Sequence, residues 1–221
     1  MRSKPTLKIT NSRRPQKQQG FTLVEIAIVL VIVGLLLGAV LKGQELIFNT
    51  KVKSTYNMSR ETAAALYAYQ DRYRVSPGDD NQATNRFPTA NPAVTNGNGD
   101  GLIAYGSNCQ AAGVANAGEN CNALHHMRVS GFISGSGNEG LRTAFGGLAS
   151  PARWENYYTQ AGNNPAMGYD PRGVTHKIMS TIDISFDDGS PTTGSVRCRN
   201  LALYDLANPD GRVPDWCSAA M

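Results

Sequence analysis

The sequence predicts an α+β protein in which a long amino-terminal helix packs on a small antiparallel sheet with long loops. Three observations support this fold class. A nearly uninterrupted apolar run fills residues 20–41. Apolar side chains then recur at spacings of three and four up to Tyr73, which is the pattern of an amphipathic helix. Patterns typical of strands come late, in residues 176–186 and 195–199.

The apolar run of residues 20–41 is long enough to cross a bilayer, which takes roughly 20 residues as a helix. Cytoplasmic flanks of membrane spans are rich in Lys and Arg, so we expect the amino terminus in the cytoplasm and the rest beyond the membrane. A basic segment is also typical of nucleic-acid binding, but the adjacent span favours the topological interpretation. The segment before the run contains no acid. Its basic residues are Arg2, Lys4, Lys8, Arg13, Arg14 and Lys17.

The positive net charge belongs to this basic segment. The whole chain of 221 residues has a formal charge of +4, which is less than the charge of those basic residues alone. Once the segment is removed, the remainder is net negative, and charge gives no reason to expect a nucleic-acid binder. Beyond the span, the chain is long enough for one compact domain of ordinary size.

Three interpretations of the amino-terminal region are possible, and Glu25 helps to distinguish between them. A secretory signal peptide would be cut after the apolar run, near Ala39. A plain membrane anchor would not be cut, and a leader would be cut before the run, which would then remain in the mature protein. An acid costs roughly 2.5–3.5 kcal/mol at the centre of a membrane helix and less near the interface, so signal peptides rarely contain one. Residues 37–39 are also a poor small-x-small cleavage site.

The segment Gly20-Phe-Thr-Leu-Val-Glu25 resembles the processing motif of type IV pilins and type II secretion pseudopilins, and the resemblance extends over roughly residues 1–50. It implies that a prepilin peptidase and methyltransferase cuts between Gly20 and Phe21 and then N-methylates Phe21. It also implies the pilin-like fold. The expected parts are a cytoplasmic leader (1–20), a transmembrane and filament-core helix (21–41), an amphipathic half of the helix (42–76) and a loop-rich head (77–221).

Cleavage would place the free amine of Phe21 at the membrane depth of Glu25. The resemblance implies that the amine of one subunit pairs with the carboxylate of another and sets register in the filament. A buried ion pair must offset several kcal/mol of desolvation per ion. We therefore expect the pair to fix the register between subunits more than to stabilise the filament. The alternative is that Glu25 extends to the headgroups. Gly34 and Gly38 form a Gly-x-x-x-Gly pair, which either admits a neighbouring backbone or has no dedicated partner.

Four cysteines follow the predicted export segment, and they predict two disulfides with three alternative pairings. The short-range pairing, Cys109–Cys121 with Cys198–Cys217, would close loops of about 13 and 20 residues. The second bridge would resemble the C-terminal disulfide loop of many pilins. No pair has the Cys-x-x-Cys spacing of a zinc site, so we expect no metal at the cysteines.

Residues 81–122 are rich in Asn, Gly, Pro, Thr and Ala and predict a loop. Within it, Asn96, Asn98 and Asp100 place oxygen ligands at alternate positions before a glycine, as a calcium loop begins. The twelfth position of that loop is Ser107 rather than glutamate. A glycine-rich turn is therefore the favoured interpretation, and no cofactor is expected.

Three further predictions concern polar residues of the head. Asp79 and Asp80 belong to a Pro-Gly-Asp-Asp segment that ends the long helix. Metal binding is one interpretation of this acidic pair, and a solvated turn is the favoured one. Residues 123–133 predict a short helix. We expect its adjacent His125 and His126 to be solvated or at the edge of the core, because neighbours on a helix cannot share a metal as an i, i+4 pair does.

The rest of the head predicts little regular structure before the last strands. Residues 176–186 and 195–199 predict a hairpin. The tail, residues 208–217, predicts a loop held by Trp216 and Cys217. Residues 134–175 predict a glycine-rich stretch, anchored by aromatic side chains at Trp154, Tyr157 and Tyr158.

No catalytic motif is present in the sequence, neither Gly-x-Ser-x-Gly nor a Walker loop nor His-Glu-x-x-His, so we do not expect an enzyme. The resemblance implies a major or minor pilin, held in the inner membrane as a precursor and extracellular once assembled in a type IV pilus. Its partners would be the peptidase, other pilin subunits and, through the head, an extracellular surface or DNA. The alternatives are a periplasmic pseudopilin that serves protein secretion, or a minor tip pilin that acts as an adhesion or DNA-binding module.

Overall fold

The computed structural model describes residues 20–106, 109, 118–152, 166–169, 173–198, 204–205, 207–211 and 217–220. In this part of the chain the elements are α1 (Leu23–Tyr73), α2 (Ala83–Arg86), α3 (Glu119–Val129), β1 (Leu141–Arg142), β2 (Leu148–Ala152), β3 (Ala166–Tyr169), α4 (His176–Phe186), β4 (Val196–Cys198) and β5 (Cys217–Ala220). The chain divides into two compact units, residues 1–46 and residues 47–221.

The first unit contains the apolar first half of α1. Its side chains are Leu, Val, Ile and Ala on every face, and its most apolar 18-residue window has a mean hydropathy of 2.9 with no buried residue. Within the described residues, α1 is the helix long and apolar enough to cross a membrane. A continuous exposed apolar surface of this kind needs lipid or neighbouring helices to cover it. This half of α1 is therefore consistent with a membrane-anchored precursor.

In the second unit, one face of α1 packs on the head. The buried positions recur at spacings of three and four, which brings them to one side of the helix. One cluster surrounds Val52 and includes Met167 of β3, Met179 of α4 and Val196 of β4. A hydrogen bond between the hydroxyls of Ser59 and Tyr169 adds a polar contact between α1 and β3. The buried residues of α1 are Val52, Thr55, Ser59, Thr62, Ala65, Leu66 and Tyr69.

A second cluster joins the last turns of α1 to α3. Leu66 and Tyr69 of α1 meet Leu124 and Met127 of α3, and all four are fully buried. The short helix predicted for residues 123–133 therefore forms as α3, although α3 begins and ends four residues earlier.

The five strands form one antiparallel sheet in the order β1-β2-β3-β5-β4. Strand β5 enters between β3 and β4, so the carboxyl-terminal residues are central to the sheet. With α1 packed on it, this sheet confirms the predicted α+β class and pilin-like architecture.

The predicted hairpin of residues 176–186 and 195–199 is wrong in its first half. Residues 176–186 form α4, whose amino terminus is capped by the Thr175 hydroxyl accepting from the backbone N–H of Ile178. The apolar positions Ile178, Met179 and Ile182 have helical spacing and are buried, and the alternation of Ile182, Ile184 and Phe186 obscured this pattern.

Strand β4 does form near its predicted position, but it pairs with β5 of the tail. The tail prediction, a loop over residues 208–217, is therefore wrong at Cys217, which is the first residue of β5. The glycine-rich stretch of residues 134–175 is also more regular than predicted, because it contains β1, β2 and β3. The proposed anchors Trp154, Tyr157, Tyr158 and Trp216 lie outside the described residues.

The structure contains two disulfides, Cys109–Cys121 and Cys198–Cys217, which is the short-range pairing among the three alternatives. Cys198 and Cys217 face each other on the neighbouring strands β4 and β5. Cys109 ties a loop residue to the first turn of α3, where the side-chain amide of Asn120 also donates to the Ser150 hydroxyl of β2. Both bridges therefore fasten loop-rich segments to regular elements.

Candidate processing and assembly site

The helix start at Thr22 and Glu25 is a capping box. The backbone N–H of Glu25 donates to Thr22 Oγ1 at 3.2 Å, and the backbone N–H of Thr22 donates to Glu25 Oε2 at 2.8 Å. The Thr22 hydroxyl donates to the same carboxylate oxygen at 2.9 Å. Each side chain thus satisfies an amide that the first helical turn would leave unpaired.

The capping box leaves part of the Glu25 carboxylate available. Both hydrogen bonds from Thr22 reach Oε2, so among the described residues Oε1 keeps its acceptor capacity. A carboxylate offers about four lone-pair sites and can accept from a second donor. A negative side chain in the first turn also complements the positive end of the helix dipole. The geometry thus fixes the carboxylate beside the helix start and leaves one oxygen for an outside cation.

Phe21, the residue expected to become the amino terminus, lies just before α1, outside any helix or strand, and is 83 % exposed. Gly20, before it, is also exposed, and a Cβ added there would meet no atom within 4 Å. A peptide bond in an exposed, non-helical segment can enter a protease active site without local unfolding. The position of the expected cut is therefore sterically accessible.

Gly34 and Gly38 lie on the exposed part of α1. A Cβ added at either position would meet nothing within 4 Å. Among the described residues of this subunit, none packs against these glycines. The structure leaves both alternatives open: a face for a neighbouring helix, or no dedicated partner.

In the head, the Asn/Asp loop is organised by a carboxylate outside it. Asp79, predicted to be solvated, is 1 % exposed. Its Oδ1 accepts from the backbone N–H of Gly99 and Asp100, and its Oδ2 accepts from that of Gly101. Glu119 of α3 accepts from two more amides of the same loop, those of Asn98 and Ala104. The solvated-turn prediction for Asp79 is therefore wrong.

The three residues of the candidate calcium loop do not point to one place. The side chain of Asn96 accepts from the backbone N–H of Thr84, while Asn98 and Asp100 bond to each other. A carboxylate oxygen of Asp100 does lie within 4.8 Å of those of Asp79 and Glu119. Since Asp79 and Glu119 already accept from loop amides, these carboxylates act as anchors of the loop.

Asp80 was also predicted to be solvated, and it is completely buried. Its Oδ2 accepts from the Tyr69 hydroxyl at 2.7 Å and from Arg86 Nε at 2.8 Å. Its Oδ1 accepts from the backbone N–H of Gln82. Burial and the hydrogen bond to Asp80 raise the pKa of the Tyr69 hydroxyl, which therefore stays protonated as a donor. The acid links α1 to the segment around α2, and the solvated-turn prediction is wrong here too.

His126 is buried and neutral rather than solvated or at the core edge. Its Nδ1 accepts from the backbone N–H of Gly78, and its Nε2 lies 2.8 Å from the carbonyl oxygen of Thr95, to which it donates. Burial lowers the pKa of His126 to about 4. His125 is also buried, so the prediction for this pair is wrong. Gly78 has a φ of +87°, and a Cβ there would clash with the backbone of Glu119.

A second acidic group lies at the carboxyl-terminal end of α4 and in the turn that follows. The buried carboxylate of Asp183 accepts from the hydroxyl of Tyr204 at 2.7 Å and from the backbone N–H of Gly189. Burial raises the pKa of Asp183. Asp187 accepts from two amides at the start of β4, those of Ser195 and Val196. These acids hold the turn between α4 and β4 in the same way that Asp79 holds its loop.

Sequence reasoning missed Thr22, Asp79 and Asp80 as structural residues. For Thr22 the signal was available, because Thr-x-x-Glu directly before an apolar run is the pattern of a capping box. For Asp79 no local signal exists, since the amides that bond to it lie twenty or more positions further along the chain.

Comparison with known proteins gives a match in the amino-terminal region. A family model described as the prokaryotic N-terminal methylation motif matches residues 15–41. No curated protein and no solved structure matches the chain. The motif implies processing by a prepilin peptidase and assembly with pilin subunits, which are structural proteins and typically not enzymes. The chain thus carries the methylation motif that marks type IV pilins and pseudopilins, at the start of a long helix whose second half packs on a five-stranded antiparallel sheet.

Proposed function

We propose that the chain is a structural subunit of a type IV pilus filament, cut after Gly20 and N-methylated at Phe21. The observation that carries this proposal is the methylation motif on the exposed apolar first half of α1, whose first turn holds one acid, Glu25. Before assembly the subunit is held in the inner membrane by residues 21–41, with the basic leader in the cytoplasm.

Leaving the bilayer for a filament gives these residues no hydrophobic gain, because lipid is as apolar as a neighbouring helix. The preference for the filament must come from close packing and from polar contacts between subunits. Gly34 and Gly38 offer space for the first, and the free Oε1 of Glu25 offers a partner for the amine of a neighbouring Phe21. The desolvation cost of an unpaired carboxylate would then penalise every wrong register.

The head forms the outer coat of the filament. Two disulfides and several buried carboxylates hold its loops, which suits a domain exposed outside the cell. Any contact with an extracellular surface or DNA would be made by this domain. Pseudopilins carry the same motif, so a subunit of a type II secretion pseudopilus is the second candidate, and a minor tip pilin is a third.

The proposal is tested by Gly20→Ala, with Gly43→Ala as the matched control. A Cβ added at Gly43 also meets no atom within 4 Å, so both changes are sterically free. We expect Gly20→Ala to leave an uncut precursor in the membrane and Gly43→Ala to be processed normally. A mature-sized product from Gly20→Ala on a gel would contradict the proposed cut.

The share of this subunit in sheared surface filaments then separates the candidates. A major pilin dominates such filaments, a tip pilin is a trace component, and a pseudopilin is absent from the cell surface. We expect the subunit in the sheared fraction. Its complete retention in the cell envelope would contradict a surface pilus subunit and favour the pseudopilin.

A further inference from the structure

Two phenylalanines and two lysines from three elements of the second unit form one surface patch. Phe48 of α1 lies 5.7 Å, between ring centroids, from Phe145 in the turn joining β1 to β2. Lys177 of α4 places its Nζ 4.9 Å from the centre of the Phe48 ring, and Lys51 of α1 lies 5.9 Å from that of Phe145. We call these four residues the Lys–Phe patch.

The patch combines apolar rings that are only half-buried with cationic groups that remain exposed. Both rings are half-buried and both lysines are exposed. Within the described part of the chain, neither lysine forms an ion pair. Next to the patch, Ile47 is 59 % exposed. Apolar rings flanked by lysines whose stems lie along them are typical of surfaces that rest on a membrane interface.

The chain itself keeps the patch close to the bilayer. The six residues 42–47 connect the end of the apolar run to Phe48. They span roughly 9 Å as a helix and at most about 20 Å fully extended. The polar headgroup layer occupies about 5–8 Å on each side of the hydrocarbon core. Phe48 is thus tethered within roughly 20 Å of the end of the apolar run, whatever the direction of the chain between them.

We propose that the Lys–Phe patch binds anionic phospholipid headgroups of the membrane that holds the precursor. The inference rests on the proposed function in one respect, that residues 21–41 anchor the subunit in a bilayer before assembly. Lys51 and Lys177 attract the lipid phosphates, while Phe48 and Phe145 enter the boundary between headgroups and acyl chains. The head is thereby held against the membrane until the subunit is extracted into a filament.

The test uses the full-length chain reconstituted in vesicles. Because the structure has no free cysteine among its described residues, a fluorescent label is attached at Ala144→Cys, beside Phe145. Quenching is measured with lipids that carry a nitroxide on the headgroup. The vesicles are either pure phosphatidylcholine or a mixture with phosphatidylglycerol. A label at Asp71→Cys, far along α1, serves as the distant site.

We expect the Ala144→Cys label to be quenched more strongly when phosphatidylglycerol is present, and the Asp71→Cys label to show no such increase. The double variant Lys51→Gln/Lys177→Gln should lower the ratio of contacting to free heads by about five-fold for each lysine. The control Lys53→Gln/Arg60→Gln removes the same charge from other positions of α1 and should leave quenching within a factor of two of the unchanged chain.

Equal quenching in the two kinds of vesicle, or no loss in the double variant, would overturn the proposal. Quenching that instead follows the protein-to-lipid ratio would assign the patch to a second copy of the chain and would also overturn it. Cleavage of the same variants by prepilin peptidase is scored in parallel. If quenching does not depend on the lipid but cleavage is normal, the patch proposal is wrong and the proposed function stands. If the unchanged chain is not cleaved, the proposed function itself is contradicted.

Discussion

Residues 20–41 and the head differ in which side chains they expose and in how their acids are hydrogen-bonded. In the first region the apolar side chains are exposed and the single acid, Glu25, is bonded only within its own helical turn. In the head the apolar side chains are buried, and Asp79 and Asp80 are buried with their oxygens occupied by amides, a hydroxyl and a guanidinium.

This contrast shows which region depends on other molecules. In the described part of the second unit, the buried side chains of Asp79, Asp80 and His126 find hydrogen-bond partners inside the same unit. The amino-terminal helix leaves both its surface and one oxygen of its acid to an environment outside the subunit. Changes in the first region should therefore affect assembly and spare folding, and changes in the head should do the reverse.

The largest effect is expected from Glu25→Ala. Loss of the carboxylate removes the proposed partner of the Phe21 amine, so we expect incorporation into filaments to fail while cleavage continues. Glu25→Gln retains a hydrogen-bonding group and lacks the charge, which makes it the matched control for capping. Incorporation is measured as this subunit's share of the sheared filaments. Normal incorporation of Glu25→Ala would remove the register argument.

In the head, Asp80→Ala should destabilise folding. Tyr69 and Arg86 would lose their shared acceptor, and breaking a buried charge pair costs about 3 kcal/mol or more. The measurement is the urea midpoint of the full-length chain in detergent. Asp71→Ala, which removes a carboxylate from an exposed pair with Arg74, should shift the free energy of unfolding by less than about 1 kcal/mol. Similar midpoints for the two variants would contradict the internal role of Asp80.

The pH dependence of head stability should depend on His126. Its folded-state pKa of about 4 lies below the unfolded value near 6.5, so the unfolded chain binds the proton more readily between these values. The stabilisation is complete above pH 6.5 and is lost as the pH falls towards 4. It should fall by roughly 2 kcal/mol between pH 7 and pH 5.

The physical reason is that a proton on Nδ1 would displace the Gly78 amide. His126→Gln should therefore be less stable than the unchanged chain at pH 7 but should lose less stability on acidification. Parallel pH profiles for the two proteins, measured by urea unfolding, would show that His126 is not the titrating group.

The smallest effect is expected from Thr22→Val. The change removes the hydroxyl that caps α1 but keeps the Glu25 charge and its bond from the backbone N–H of residue 22. We expect cleavage to continue and incorporation into filaments to fall in part, well short of the loss in Glu25→Ala. Equal losses in both variants would mean that Glu25 acts through the capping box and not through a neighbouring subunit.

The same contrast explains what the sequence could predict. The span, the helix and the processing motif are encoded in contiguous residues, so periodicity and the Gly-Phe-Thr-Leu-Val-Glu segment reveal them. Strand β3, Ala-Met-Gly-Tyr, has no alternating pattern and owes its conformation to pairing with β2 and β5. The burial of Asp79 and Asp80 likewise depends on amides and side chains that only the folded chain brings to them. Residues 176–186 fit both the alternation of a strand and the spacing of a helix. The helix forms because it buries Ile178 and Met179 in the core.

The most direct test of the central claim is mass spectrometry of the amino-terminal peptide of the mature subunit purified from filaments. We expect the peptide to begin at Phe21 and to carry one methyl group on its amine. A mature chain that begins at any other residue would leave no amine beside Glu25 and would contradict the proposed assembly.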